Sequence, residues 1–134
     1  MFLPLIIGAQ TVVASREQSM DADALIVLLK EQNISIMQAT PATWQMLVSQ
    51  TAAIKSDVLC GLTVLCGGEA LSAKLAEALL ANKVALLNVY GPTETSVWSS
   101  SQWITANDIC IGKPVLNNHF YILDNKLKPV PIGV

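Results

Sequence analysis

The sequence predicts an α/β fold: a mostly parallel sheet with covering helices, followed by a short β-rich C-terminal part. Three observations predict it. Through residues 1–91, short apolar runs alternate with segments of helical period, the pattern of strand–helix–strand units. Turn residues close these runs, at Asn33, at Asn82-Lys83 and at Gly91-Pro92. Through residues 92–134 the helical period disappears, and β-branched and aromatic residues take over. The 134 residues form one unit, with no internal repeat, linker or low-complexity stretch.

Taken in order, residues 2–7 read as a buried helix end leading into Gly8. Thr11, Val12 and Val13 are β-branched, so residues 11–14 read as a strand. Ser19 or Asp21 is the N-cap of a helix carrying Ala24, Leu25, Leu28 and Leu29 at helical spacing and ending near Asn33. Residues 34–37 form the next strand. Thr40-Pro41 is an N-cap followed by proline at the first helical position, where its missing N–H does no harm. Trp44, Leu47 and Val48 give that helix an apolar face that packs into the core. Residues 62–66 are a strand ending in the Gly67-Gly68 turn. Ser72 caps a helix with Leu75, Ala76, Leu79 and Leu80 inward, and Asn82-Lys83 leads into a strand over 84–89. Beyond Pro92, residues 97–104 read as a strand broken at Asn107-Asp108, and residues 120–123 as another before a tight turn at Asp124-Asn125. Pro129 and Pro131 keep the last stretch at an edge.

Composition narrows the function classes. With 52% hydrophobic and 13% charged residues, most elements should be buried on more than one side. The net charge of −2 and the absence of a basic run exclude a nucleic-acid partner. Cys60, Cys66 and Cys110 form no close pair and His119 is the single histidine, which excludes a zinc site. The odd cysteine count fits a reducing compartment. The apolar opening is broken by Pro4, Gly8, Gln10 and Thr11, too short to span a bilayer, and the first basic residue is Arg16, so no signal peptide is read. A cytoplasmic protein without a membrane partner is the expectation.

In open parallel sheets, ligands bind outside the carboxyl ends of the strands. Three such ends carry marked turns, at residues 38–40, 66–69 and 90–94, and parallel strands would bring all three to one crevice. Gly67-Gly68 removes side chains where a flat group can lie against backbone, although it does not match the dinucleotide fingerprint. After Gly91-Pro92 come a hydroxyl, Thr93, able to donate to a phosphate oxygen, and a carboxylate, Glu94, a hard oxygen ligand suited to Mg²⁺. An ordinary polar turn accounts for the same residues.

The stretch Asn88-Val89-Tyr90-Gly91-Pro92-Thr93-Glu94-Thr95 resembles the Asn-x-Tyr-Gly-Pro-Thr-Glu core motif of adenylation domains in nonribosomal peptide synthetases, part of the acyl-adenylate-forming superfamily. The segments Cys66-Gly67-Gly68-Glu69-Ala70-Leu71, Ile111-Gly112-Lys113-Pro114 and Val130-Pro131-Ile132-Gly133-Val134 are similar to further family segments, in the same order. The resemblance implies a ligase that joins a carboxylic or amino acid to ATP and passes the acyl group to the phosphopantetheine thiol of a carrier-protein domain. It implies that Gly67, Gly68 and Glu69 lie along the adenine, that Tyr90 stacks near it, and that Asn88 and Gly91 belong to the same cofactor-binding set. Thr93 and Glu94 are the implied catalytic pair, with Thr93 on the phosphate and Glu94 holding Mg²⁺.

The resemblance also implies that Ala39, Val64, Cys66, Val89, Val97 and Trp98 line the acid pocket. None of these pairs with a charge, so the acid carries an apolar side chain, and the bulk of Trp98 shortens the pocket or stacks on an aromatic substrate. The family's residue for an α-amino group falls before Met1, so amino, hydroxy, keto and aryl acids all remain open. The family's phosphate loop lies upstream of these residues, and its ribose-binding Asp and C-terminal-subdomain lysine lie downstream. The chain therefore reads as an internal fragment of the large N-terminal subdomain, inactive alone and partnered by the remaining parts of the adenylation domain. Two alternatives stand beside this: an acyl- or aryl-CoA ligase of the same superfamily, or a non-catalytic truncated remnant. Pro92 favours the peptide-synthetase reading over the CoA ligase.

Overall fold

Five strands build one sheet in the order β1-β2-β3-β4-β5. They are β1 (Ile36–Ala39), β2 (Thr63–Gly67), β3 (Ala85–Tyr90), β4 (Ser100–Ile104) and β5 (Lys113–Pro114). β1, β2 and β3 run parallel, while β4 and β5 add antiparallel. The computed structural model describes residues 2–54, 56–95, 97–106 and 108–133. Met1, Asn107 and Val134, which enter the expectations above, lie outside those residues. The predicted fold class stands.

The helices are α1 (Phe2–Ile6), α2 (Arg16–Ser19), α3 (Ala22–Glu31), α4 (Pro41–Ala53) and α5 (Ala73–Ala81). Their starts follow the expected cap chemistry. Asp21 accepts from the N–H groups of Asp23 and Ala24 at 2.9 and 3.2 Å. Thr40 accepts from Thr43, with Pro41 at the first helical position, and Ser72 accepts from Leu75. Ser19 is no cap; it closes α2, a short helix begun by the capping box of Ser15 and Gln18.

One core holds the elements together. Leu25, Ile26 and Leu29 of α3, Trp44, Leu47 and Val48 of α4, and Leu75, Ala76 and Leu79 of α5 pack against Val64, Cys66, Leu86 and Ile104 of the sheet. Trp44, fully buried, also donates its indole N–H to the carbonyl of Leu65 at 3.3 Å, fixing α4 over β2. Leu80 is only partly buried, packed against this core rather than within it.

The expectation that most elements are buried on more than one side fails for the sheet. Register partners Gln38, Leu65 and Leu87 share one face, and Val64 and Leu86 share the other. The core helices pack on the second face. On the first, Ile36 is 61% exposed and Trp103 54%. The cause is topological: parallel strands laid down consecutively in one direction, each joined by a right-handed crossover, place every helix on the same side.

Five local expectations are corrected. Helix α1 forms, yet Leu5, Ile6 and Ile7 are exposed rather than buried. Residues 11–14 form no strand, because β-branched residues satisfy the propensity but no neighbouring strand pairs with them. The strand read over 97–104 starts at Ser100, since Thr93–Thr95 is a 3₁₀ turn and Val97 an exposed bend. Residues 120–123 make a single bridge, Leu123 with Pro129, across the turn at Asp124. Asp124 caps that turn by accepting from the N–H groups of Lys126 and Lys128. Strand β1 runs two residues later than the spacing predicted, over Ile36–Ala39. Among the described residues, no helix is long and apolar enough to cross a membrane.

Candidate functional site

The carboxyl ends of the three parallel strands lie side by side, because Ala39 pairs with Cys66 and Gly67 with Val89. The turns after these strands therefore share one edge of the sheet, as the alternating sequence implied. At the ends of β2 and β3 a cleft of about 380 Å³ opens. Its walls include Gly68, Glu69, Asn88, Tyr90 and Gly91, five of the residues expected to hold a nucleotide, together with Pro92 and Ile111. Thr93 and Glu94 follow Pro92 directly on the exposed 3₁₀ turn.

The cleft is built by polar ties. Asn88 is buried and donates its side-chain N–H to the carbonyl of Cys110 at 2.8 Å, drawing Ile111 over the end of β3. Ser100, also buried, donates its hydroxyl to the carbonyl of Ile111 at 2.6 Å. Tyr90 presents its ring at the rim, 42% exposed, which leaves an aromatic face free for stacking. Ile111 was not singled out for a role by the sequence reading. Its signal was its place in a segment similar to the family, and only the two tethers show that the segment closes this cleft.

The charges at the cleft are acidic. Glu69 lines it and Glu94 lies just beyond Pro92, while none of its walls is a lysine or arginine. Among the described residues, no group of three or more His, Cys, Asp or Glu side chains gathers to hold a metal unaided. Mg²⁺ does not require one, since it is commonly held by one or two carboxylates plus substrate phosphates. Glu94, exposed beside the Thr93 hydroxyl at the cleft's edge, fits that mode.

The residues expected to line an acid pocket divide between the two faces of the sheet. Val64 and Cys66 are fully buried in the helix-covered core, and Ala39 packs against that core. Burial pushes the Cys66 thiol up to about 11, with the Glu69 carboxylate adding to the effect. Val89 and Trp98 meet on the open face instead. Val97 is exposed on the bend before Trp98. The expected set therefore does not share one face: Ala39, Val64 and Cys66 lie on the helix side and Val89 and Trp98 on the other. The positions on the same side as Val89 are Gln38 on β1 and Leu65 and Gly67 on β2, and a slip of one residue reverses the face of every side chain. Gly67 itself lies under Val89 and Trp98, outside the cleft walls.

A family model described as AMP-binding enzyme matches residues 1–134. A dimodular nonribosomal peptide synthase of Bacillus subtilis is 42% identical over 137 residues, covering 100% of this chain and 6% of its own length. A holo four-domain nonribosomal peptide synthetase, whose crystal structure holds AMP and glycine, is 47% identical with a TM-score of 0.83, covering 96% of this chain and 10% of that one. A nonribosomal peptide synthetase protein containing adenylation and PCP domains is 27% identical with a TM-score of 0.71, over 82% of this chain and 23% of that one. The chain thus spans a small fraction of the length of the relatives it matches.

Proposed function

This chain belongs to the AMP-binding enzyme family, and from that premise we propose that it forms part of an ATP-dependent adenylation domain of a nonribosomal peptide synthetase. In that role it activates a carboxylic or amino acid with an apolar side chain as its acyl-adenylate, for transfer to the thiol of a carrier-protein domain in the cytoplasm. The observation that carries the reading is the cleft at the ends of β2 and β3, where Gly68, Glu69, Asn88, Tyr90 and Gly91 converge. Similarity to a synthetase that binds AMP and glycine, and to one containing adenylation and PCP domains, supports the nucleotide, the amino acid and the carrier partner.

The chemistry asks little of side chains as acids or bases. A carboxylate oxygen attacks the α-phosphorus of ATP, a new P–O bond forms, and the bond to pyrophosphate breaks. The acid is already ionised, so no proton moves. What the site must supply is alignment and charge compensation between two anions. The Tyr90 ring and the Gly68 backbone hold the flat base, and the Thr93 hydroxyl donates to a phosphate oxygen. Glu94 would hold Mg²⁺, which when bound offsets the charge developing on the phosphates.

The test is ATP–pyrophosphate exchange by the full-length protein bearing these residues, with a panel of acids. Acid-dependent exchange supports the reading, and its absence with every acid removes it. In the same assay Glu94→Gln should fall on the order of 10²–10³-fold in rate, the loss typical of one transition-state contact. Glu31→Gln, at the exposed end of α3, should match the wild type.

A further inference from the structure

We infer that the hydroxyls of Thr95 and Ser99 form a clasp that holds the turn carrying Thr93 and Glu94, which makes both of them positioning residues for the adenylation reaction. The inference rests on the adenylation reading above and names what orients its two acting side chains. Packing does not hold this turn. It is a 3₁₀ helix of three residues, Thr93–Thr95, and none of them is buried. So short a turn has little stability of its own. With all three side chains exposed, hydrogen bonds must fix where Glu94 points.

The bonds that reach the turn form a chain with a definite direction. The Thr95 N–H donates to the Pro92 carbonyl at 3.1 Å, and the Thr95 hydroxyl donates to the same carbonyl at 3.2 Å. The Thr95 and Ser99 hydroxyls are also hydrogen-bonded to each other. A hydroxyl has one proton to give. With that of Thr95 directed at Pro92, the bond between the two hydroxyls takes its proton from Ser99. The order runs from Ser99 to Thr95 to Pro92, and it closes the turn at both ends.

Ser99 is a firm anchor. It is 1% exposed, and β4 begins at the next residue. Its N–H donates to the Tyr90 carbonyl at 2.7 Å, and its carbonyl accepts from the Val115 N–H at 2.9 Å. These ties fasten it to the end of β3 on one side and to the segment after β5 on the other. A Cβ on Gly91 would lie 2.8 Å from the Trp98 Cα, so the chain leading into Ser99 is already pressed against the exit of β3. None of these contacts uses the Ser99 side chain. Loss of the Thr95 hydroxyl would therefore release the turn while the backbone kept the rest of the loop seated.

The chemistry gives the clasp its use. A carboxylate that holds Mg²⁺ and a hydroxyl that meets a phosphate must be placed closely, because a misplacement of about 1 Å can cost ~10²-fold in rate. Neither Thr95 nor Ser99 is among the walls of the cleft; they act through Thr93 and Glu94.

Three variants of the full-length protein test this: Thr95→Val, which keeps the shape and removes the hydroxyl, Thr95→Ser, which keeps the hydroxyl, and Ser99→Ala. In ATP–pyrophosphate exchange with the preferred acid, Thr95→Val should lower kcat about 10–100-fold and raise the Mg²⁺ concentration for half-maximal rate about tenfold. KM for the acid should stay unchanged, and Thr95→Ser should recover most of the lost kcat. Ser99→Ala should fall like Thr95→Val, and the double variant no further than the worse of the two, since both break one bond. Deuterium uptake by the ligand-free protein reads the clasp without turnover. A peptide spanning residues 93–99 should take up deuterium about fivefold faster in Thr95→Val, the effect of one neutral hydrogen bond, while a peptide spanning β3 does not change. Unchanged kcat and Mg²⁺ dependence in Thr95→Val overturn the inference. So do an equal loss in Thr95→Ser, a loss confined to KM for the acid, and unchanged uptake over residues 93–99; each of these leaves adenylation intact. Should Ser99→Ala fail to fold, the two Thr95 variants decide the matter. A wild type that exchanges with no acid at all overturns the adenylation reading, and the inference with it.

Discussion

Gly67→Ala in the full-length protein isolates the packing of the Trp98 ring on the sheet. The added methyl would meet three groups at once: Cγ2 of Val89 at 2.6 Å, the Trp98 ring at 2.9 Å and, nearer than either, the Val89 carbonyl oxygen. The two side chains can shift, but the carbonyl cannot, because β3 is held in register between β2 and β4. Forcing a methyl into such a space costs about 1–3 kcal/mol. Replacing glycine by alanine returns ~0.4–1 kcal/mol through the unfolded chain, so a net loss of about 1–2 kcal/mol is expected. Urea unfolding should show a lower midpoint at unchanged slope. Gly68→Ala is the control, since its methyl meets nothing closer than Thr40 Cγ2 at 3.7 Å and its cost comes from a backbone φ of +92°. Combined with Trp98→Ala, the Gly67 change should couple by roughly 0.5 kcal/mol or more, as residues in contact do, and the Gly68 change should simply add. A neutral Gly67→Ala, or one that adds to Trp98→Ala without coupling, would refute the packing of Trp98 on Gly67.

The other predictions are brief. The 134-residue chain alone should give no pyrophosphate exchange above background, because no lysine or arginine lines its cleft to offset a triphosphate; measurable exchange would show that none is needed. Asp21→Ala should lower thermal stability by the equivalent of about 1 kcal/mol, the usual loss for an N-cap whose side chain accepts from two backbone N–H groups. Alkylation at pH 8 followed by mass spectrometry should label the exposed Cys60 and Cys110 and spare Cys66 until the fold opens. The sign of the Cys66 effect on stability follows from its raised value. The neutral thiol's contribution is complete below pH 9.0 and is lost as pH climbs from 9.0 towards about 11, so stability to alkali should fall in that window.

What was legible in the sequence was what local chemistry decides. Thr40-Pro41, Asp21 and Ser72 start helices because their oxygens satisfy free N–H groups, wherever the helix then packs. The strand-ending turns at Gly67-Gly68 and Gly91-Pro92 converge because consecutive parallel strands leave no alternative. What was not legible depended on partners far away in the chain. Residues 11–14 have strand composition and no strand to pair with, and residues 120–123 pair only with the short return segment at Pro129 and Val130, through the Leu123–Pro129 bridge and the Val130 N–H to the Ile122 carbonyl. Leu5, Ile6 and Ile7 have core composition and no covering element among the described residues.

The division of the expected acid-pocket residues between two faces of the sheet has the same origin, and its cause is parity. Along β2 the reading selected Val64 and Cys66, and along β3 Val89; each is apolar and each lies beside a motif. Burial could not separate them, since all three are buried, two beneath helices and one beneath Trp98. Only the register does so, pairing Gly67 with Val89 and Cys66 with Asn88. The end of β3 thereby divides two kinds of surface. Asn88, on the helix side, ties down the wall of the proposed nucleotide cleft through Cys110. Val89, on the open side, lies beneath the Trp98 ring. In the proposed reaction the two substrates must meet across one strand, and the only side-chain-free point in that strand's exit is Gly91. The same residue lets the Trp98 backbone close against β3. Any side chain at position 91 would therefore press on the Trp98 backbone and on the proposed nucleotide cleft together.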